Sequence, residues 1–311
     1  MPSIINAWLK EFRILFLLFV TLPVILGAAI AYAYDPGQFS PLYFLISAVA
    51  MMSLHAGTVI INDFFDYRSG TDRINRERTP YSGGSGLLPD KILKPGQVLA
   101  ASIACFILCI LLGLYIVLTR SPVLLVIGMA GLLLGLFYTA PPVKLAYRGL
   151  GEAARMIATP LIVLGAFLVQ VPVASQAELS WAAMPLLVAF FSSLPVAFLN
   201  TAALYIFEFP DYDADAATGK RNLVVRLGKK NAVYVFYFLS ALAYVSIPVF
   251  ILLGYLPVLS GIALVTLPLS AFSAYGLMNY YDSPKKLVRY LKSASDAYVI
   301  TTLLLTMAFL F

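Results

Sequence analysis

The chain has 311 residues, 61% hydrophobic and only 12% charged, with a mean hydropathy of +0.90 and a formal net charge of +6. Soluble domains carry about 25% charged residues, so a single water-soluble core is excluded and a polytopic membrane protein is expected. The positive balance does not point to nucleic acid, because the basic residues lie in loops between apolar runs and have the distribution of topological charge.

Apolar runs of spanning length fall at about 12–33, 41–62, 97–118, 121–138, 152–171, 181–207, 231–254, 256–279 and 292–311. At about 20 residues per span this predicts nine transmembrane helices around a central cavity, in an all-α membrane fold with residues 1–311 forming one domain. Lys10 and Arg13, an apolar run and then Ala31-Tyr32-Ala33 have the outline of a signal peptide. The run from Ile14 to Ala33 is long enough to span, and it reads as an uncleaved first helix. Thr119-Arg120-Ser121-Pro122 and Gly254-Tyr255-Leu256-Pro257 read as tight hairpins. Cys105 and Cys109 are four apart on one helix face, with no His near in sequence, and suggest neither a disulfide framework nor a metal site.

Of the 21 Lys and Arg residues, all but Arg120 and Arg155 fall in the N-terminus and the four long loops, and Arg155 sits at the same end of its helix. The positive-inside rule then places the N-terminus and these loops in the cytoplasm and, with nine spans, the C-terminus outside.

Two acidic clusters end apolar runs on that one side. The first is Asn62-Asp63-Phe64-Phe65-Asp66 with Asp72 beyond Gly70; the second is Asp211-Tyr212-Asp213-Ala214-Asp215. Carboxylates are expensive at a membrane border unless something uses them. On a helix Asn62 and Asp66 share a face, with His55 two turns below, and Gly70 allows the chain to bring Asp72 back. Asp211 and Asp215 are likewise four apart, with Glu208 and Asn200 extending their face inward. The clusters form a weak internal repeat, and acid facing acid requires cations between them. Oxygen donors without Cys suit Mg²⁺, which is usually held by a few carboxylates plus substrate phosphates. Asn62, Asp66, Asp72, Asp211 and Asp215 are therefore the candidate metal and catalytic residues.

The bases near the same border, Arg13, Lys144, Arg148, Lys220 and Arg221, fit a diphosphate. Tyr67, Tyr138 and Tyr147 could offer an aromatic face to a developing cation. Asp63, Glu77, Asp90, Lys229 and Lys230 read as helix caps or solvated loop charges, and Asp213 as solvated. Thr79 to Gly86 is either a lid or ligand loop or a plain linker, and it is not a Walker A loop. His55, the single histidine, is a packed residue or a support for Asn62. Arg155 and Asp296 either pair or line a cavity.

These residues resemble the UbiA superfamily of intramembrane prenyltransferases over nearly the whole chain. The carriers are Asn62-Asp63-x-x-Asp66 with Asp72, Asp211-x-x-x-Asp215, and Gly219-Lys220-Arg221-Asn222-Leu223. The resemblance implies nine helices, cytoplasmic cap loops, an apolar tunnel open sideways to the lipid bilayer, and Mg²⁺ bridging both motifs to an isoprenyl diphosphate. It implies ionisation to an allylic cation and attack by an aromatic acceptor, with Arg13 and Lys144 on the diphosphate and His55, Tyr67, Tyr138, Tyr147 and Asn200 near the acceptor or the cation.

Asp66-Tyr67-x-x-Gly70-Thr71-Asp72 and Tyr147-Arg148-Gly149-Leu150-Gly151-Glu152 look like the naphthoate-prenylating branch of menaquinone synthesis. Asp72-Arg73-Ile74-Asn75-Arg76 with Thr79-Pro80 resembles instead branches acting on 4-hydroxybenzoate or geranylgeranylglyceryl phosphate, although Glu77 stands where that pattern has Pro. A cation-coupled transporter predicts charges near mid-membrane. A CDP-alcohol phosphotransferase would need D-x-x-D-G-x-x-A-R, and Asp63-x-x-Asp66-Tyr67 lacks it.

Overall fold

A computed structural model describes residues 4–171 and 183–311, and among the described residues every regular element is helical. In chain order these are α1 (Ile4–Glu11), α2 (Ile14–Tyr34), α3 (Pro41–Ser69), α4 (Thr71–Ile74), α5 (Pro95–Thr119), α6 (Val123–Leu136) and α7 (Gly151–Gln170). Then follow α8 (Ala183–Tyr205), α9 (Tyr212–Ala217), α10 (Leu223–Leu227), α11 (Lys229–Leu252), α12 (Leu267–Tyr280) and α13 (Pro284–Leu310). Short 3₁₀ segments cover Pro36–Gln38, Leu145–Arg148, Ile206–Glu208 and Val258–Thr266.

Among the described residues, 7 helical stretches are long and apolar enough to cross a bilayer: α3, α5, α7, Met184–Glu208, α11, Val258–Tyr280 and α13. Among the described residues the expected count of nine spans is not confirmed. Two further apolar stretches are Phe19–Tyr34, which is part of the 21-residue α2, and the shorter Val123–Leu136. The 14 residues of α6 rise about 21 Å, less than the roughly 30 Å hydrocarbon core. The start of the expected helix at 181–207 lies outside the described residues.

Two boundaries move for local reasons. α3 does not stop at 62: its polar residues continue the same helix to Ser69, and Gly70 ends it at φ +93°. α13 begins at Pro284, whose fixed φ suits the first helical turn, eight residues before the expected start.

Close contacts use small residues, as packing between helices in lipid requires. Gly57 of α3 lies under the Phe106 ring of α5, and Ser102 Oγ donates to the Gly57 carbonyl at 2.8 Å. Gly27 of α2 leaves no room for a Cβ against the Val163 carbonyl of α7, and Gly276 of α12 none against the Tyr290 ring of α13. α7 packs against both α2 and α8, α8 against α11, and α13 against α12, α2 and α8.

Arg120 donates to the carbonyls of Val169 (2.7 Å) and Gln170 (2.8 Å), capping the free end of α7 with a cation. A cavity of about 660 Å³ runs between α2, α3, α5, α6, α7 and α8. It extends from Asp211 and Asp215 at one end to Val117, Leu124 and Val169 at the other.

Candidate active site

The first motif is built by helix geometry. Asn62 Nδ2 donates to Asp66 Oδ2 one turn on, at 3.2 Å. Asp63, the next residue after Asn62, is rotated off this face toward the start of α2. It pairs with Arg13 Nη2 at 2.7 Å, accepts from the Ser85 amide at 2.8 Å, and is 1% exposed. Its expected role as a solvated cap is therefore corrected: it ties α2 and the long loop to α3. Gly70 then turns the chain, and α4 returns Asp72 to a buried position. Gly84 (φ +69°) lies so close that a Cβ there would stand 2.7 Å from Asp72 Oδ2.

The second motif needs a break in the chain. After α8 the backbone makes the 3₁₀ turn Ile206–Glu208, and Asp211 becomes the residue capping α9. Asp211 Oδ1 accepts from Asn75 Nδ2 at 2.8 Å, and its Oδ2 from the Gly83 amide at 3.0 Å. Asp215, one turn on, accepts from Asn222 Nδ2 at 2.8 Å. The loop 79–86 is thus no plain linker. Its amides hold Asp63 and Asp211, one from each half of the repeat.

A cation stands between the acids. Lys220 Nζ lies 2.9 Å from Asp66 Oδ2 and a looser 3.5 Å from Asp215 Oδ1, so Asp215 Oδ1 has no full hydrogen-bond partner. Tyr147 OH donates to Asp66 Oδ1 at 2.6 Å, and the Thr71 and Thr218 hydroxyls meet at 2.7 Å.

Burial first, then the charges of Asp63 and Asp66, push the Asp72 carboxyl up to about 9. Burial, with Asp211 and Asp66 adding and Lys220 opposing, takes Asp215 up to about 8. Burial works against the Lys220 ammonium, but Asp215 and Asp66 outweigh it and hold the group well above its ordinary value. Glu11, buried at the end of α1 beside Asp63, rises to about 7, chiefly through burial and then through the Asp63 charge.

These residues fit Mg²⁺. Their donors are hard carboxylate oxygens, one of them orphaned, and burial first and neighbouring carboxylates second raise Asp72 and Asp215, so a divalent ion would favour their ionised form. Among the described residues no three His, Cys, Asp or Glu side chains are close enough to hold a metal unaided.

Of the expected site residues, the acidic set of Asn62, Asp66, Asp72, Asp211 and Asp215 lines the cavity, and so do Arg13 and Lys220. His55, Tyr138 and Asn200 line it deeper in. Tyr67, Lys144, Tyr147, Arg148 and Arg221 are not among the lining residues. Lys144 Nζ stands over the Tyr147 ring at 5.1 Å, and Arg73 covers Tyr67 at 4.3 Å. Arg148 donates to the Pro142 carbonyl, and the Arg221 side chain is exposed while its amide bonds the Tyr147 carbonyl.

Asp296 pairs with Lys292 at 2.6 Å, and Arg155 lies 5.0 Å from the Tyr138 ring and lines the cavity, so the two do not pair. Asn75, Asn222 and Asp63 were missed as supports of the aspartates. Each lies in a polar loop or off the expected face, and only the fold brings it in.

The chain matches the UbiA prenyltransferase family over residues 20–309. It is 27% identical to 1,4-dihydroxy-2-naphthoate octaprenyltransferase of Bacillus subtilis (strain 168) over 72% of this chain. The matched stretch spans 66% of that relative's length, just under two thirds. It is 26% identical to 2-carboxy-1,4-naphthoquinone phytyltransferase of Synechocystis sp., over 92% of this chain and 87% of that one. Among solved structures, a UbiA homolog from Archaeoglobus fulgidus bound to DMAPP and Mg2+ superposes with a TM-score of 0.62 at 14% identity. That match covers 96% of this chain and 99% of the other, and it carries the fold. From the family match, with the fold behind it, the chain belongs to the UbiA prenyltransferase family.

Proposed function

We propose that the chain, as one domain, is a Mg²⁺-dependent prenyltransferase moving a polyprenyl group from an isoprenyl diphosphate to an aromatic quinone precursor, with a naphthoate as the first candidate acceptor. The observation that carries this is the meeting of two aspartate motifs at the mouth of one long, mostly apolar cavity. The naphthoate reading is supported by the two relatives that act on naphthoate or naphthoquinone compounds, as their names state. The competing segment Asp72–Arg76 carries less weight for the acceptor. Asn75 and nearby Arg78 brace Asp211 and the Asp72 carbonyl, work that any acceptor would require.

In this reading Asp66, Asp72, Asp211 and Asp215, with Asn62 beside them, hold Mg²⁺, which would neutralise the diphosphate and assist its departure. Lys220 and Arg13 supply fixed positive charge at the same mouth, where low dielectric makes each charge count for more. The C–O bond to diphosphate breaks with its electron pair leaving on the phosphate oxygen, and the acceptor carbon bonds the allylic carbon. The apolar walls around the tail exclude water that would otherwise capture the cation. His55, Tyr138 and Asn200 lie just below and would receive the acceptor ring. Lys144, Arg148 and Arg221 would act at most on an incoming diphosphate, since they stand outside the cavity lining. The positive-inside distribution supports a cytoplasmic mouth and N-terminus with the C-terminus outside.

The test is turnover in lipid vesicles with Mg²⁺, isoprenyl diphosphates of graded length and a panel of hydroxylated aromatic acids, with products read by mass spectrometry. Prenylated naphthol is the expected product. Cation flux without release of diphosphate would instead favour a transporter.

A further inference from the structure

Below the aspartates the cavity carries a second polar layer that metal and diphosphate leave unused. Asn200 Nδ2 donates to Thr159 Oγ1 at 3.1 Å, which leaves its Oδ1 without a partner. His55 Nε2 is also unpartnered, and both residues line the cavity. Glu208, on the 3₁₀ turn that precedes the second motif, lines the cavity as well, and its Oε2 has no donor.

Glu152, at the start of α7, is 6% exposed. Its Oε1 accepts from the Leu223 amide at 3.1 Å, while its Oε2 is orphaned. The Glu152 and Glu208 carboxyls lie within hydrogen-bonding reach of each other. Two ionised carboxylates have no donor between them, so a shared proton is what would join this pair.

We propose that Glu208, held in place by Glu152, is the base that takes the proton the acceptor loses on prenylation. The proposal rests on the prenyl-transfer reading. When the acceptor carbon bonds the allylic carbon and diphosphate departs with the C–O electron pair, the acceptor ring carries one proton too many for aromaticity. It loses the hydrogen of the attacked carbon as a proton, which restores aromaticity, and the Glu208 carboxylate receives it and later passes it to water at the mouth. Diphosphate is a weak base held at the aspartates, so a separate carboxylate on the cavity wall suits the acceptor better.

Glu152 is a positioning residue. A proton shared with it would fix the Glu208 carboxyl and leave one negative charge on the pair. Arg155 on α7, with its guanidinium over Tyr138, faces the same space and suits a carboxylate on the acceptor. The other groups in electrostatic reach of Glu208 are Asp215 on α9, and Tyr138 and Tyr205 beside it.

The test compares wild type, Glu208→Gln and Glu152→Gln in vesicles. It measures equilibrium binding of radiolabelled isoprenyl diphosphate with Mg²⁺, and prenyl transfer to 1,4-dihydroxy-2-naphthoate across pH. For Glu208→Gln a loss of about 10²–10⁴-fold in transfer is expected, the usual contribution of a positioned base. Diphosphate binding should stay within about twofold, and the rising limb of the pH profile should disappear. Glu152→Gln, which keeps a donor toward Glu208, should lose less and shift that limb. Wild-type transfer in Glu208→Gln, or parallel loss of binding and transfer, overturns the proposal. A wild-type protein that binds isoprenyl diphosphate but prenylates no arene overturns the functional reading, and this proposal with it.

Discussion

The two aspartate motifs present the same chemistry from different backbones. In the first, one 29-residue helix carries Asn62, Asp63 and Asp66 without interruption and ends only at Gly70. In the second, the helix stops at Tyr205, and Asp215 belongs to a new six-residue helix, capped by Asp211, that starts after a 3₁₀ turn. The first motif thus has a continuous helix behind it besides its contacts with Arg13, Ser85, Tyr147 and Lys220, whereas the second, set after a break in the chain, depends on what reaches it from outside, Asn75, Gly83, Asn222 and Lys220. Substitutions in the motifs themselves should look alike. Substitutions in their supports should hurt the second motif more.

The largest effects are expected for Asp66→Ala and Asp215→Ala. Each should reduce prenyl transfer by roughly 10³-fold or more while the protein elutes as a folded species. Equal losses would support one shared clamp, and full activity in either variant would remove that motif from the chemistry. Lys220→Met comes next. It takes the cation from between Asp66 and Asp215, and breaking such a buried pair typically costs about 3–5 kcal/mol. The melting temperature should fall without Mg²⁺ and recover in part with it.

Asn75→Ala should cost about 1–2 kcal/mol, the usual price of a lost bond to a charged acceptor. It should weaken isoprenyl diphosphate binding by disordering Asp211. If Asn62→Ala, which acts within the helix, proves the more disruptive to fold, the contrast between the motifs is wrong.

The smallest effect concerns pH. Glu11 has a folded pKa of about 7, raised from 4.5, so the folded state holds a proton that the unfolded state releases. The group's contribution to stability is present in full below pH 4.5 and is lost as pH rises through about 7. Glu11→Gln keeps a neutral side chain. Relative to wild type, its thermal stability should therefore be higher at pH 8 than at pH 5, by on the order of 1–2 kcal/mol.

The sequence was most legible where a short period rules. Asn62 and Asp66 share a face because four residues make a little over one turn, and Gly70 does return Asp72 to the site. The two hairpins, at Thr119–Pro122 and Gly254–Pro257, fall where Pro and Gly interrupt apolar runs. Long-range pairing was not legible. Nothing local marks Asp63 as the partner of Arg13, 50 residues away, or places the Gly83 amide on Asp211.

Asp296 looked like a partner for Arg155 because both sit in apolar helices, yet Lys292 one turn before it takes the charge. Lys144 and Arg148 looked like phosphate ligands because they are basic and near the border. The left-handed backbone at Lys144 and the 3₁₀ turn after it put them outside the cavity lining. The count of spans was blurred by α6, whose 14 residues are apolar throughout but short. Hydropathy reports composition more readily than length.

The most direct test is Mg²⁺-dependent transfer from a radiolabelled isoprenyl diphosphate to 1,4-dihydroxy-2-naphthoate, measured side by side in wild type, Asp66→Ala and Asp215→Ala. The account predicts one prenylated naphthol product and equal release of diphosphate in wild type, and neither in the two variants. Product formed without Mg²⁺, or at wild-type rates in either variant, would contradict a clamp shared by the two motifs.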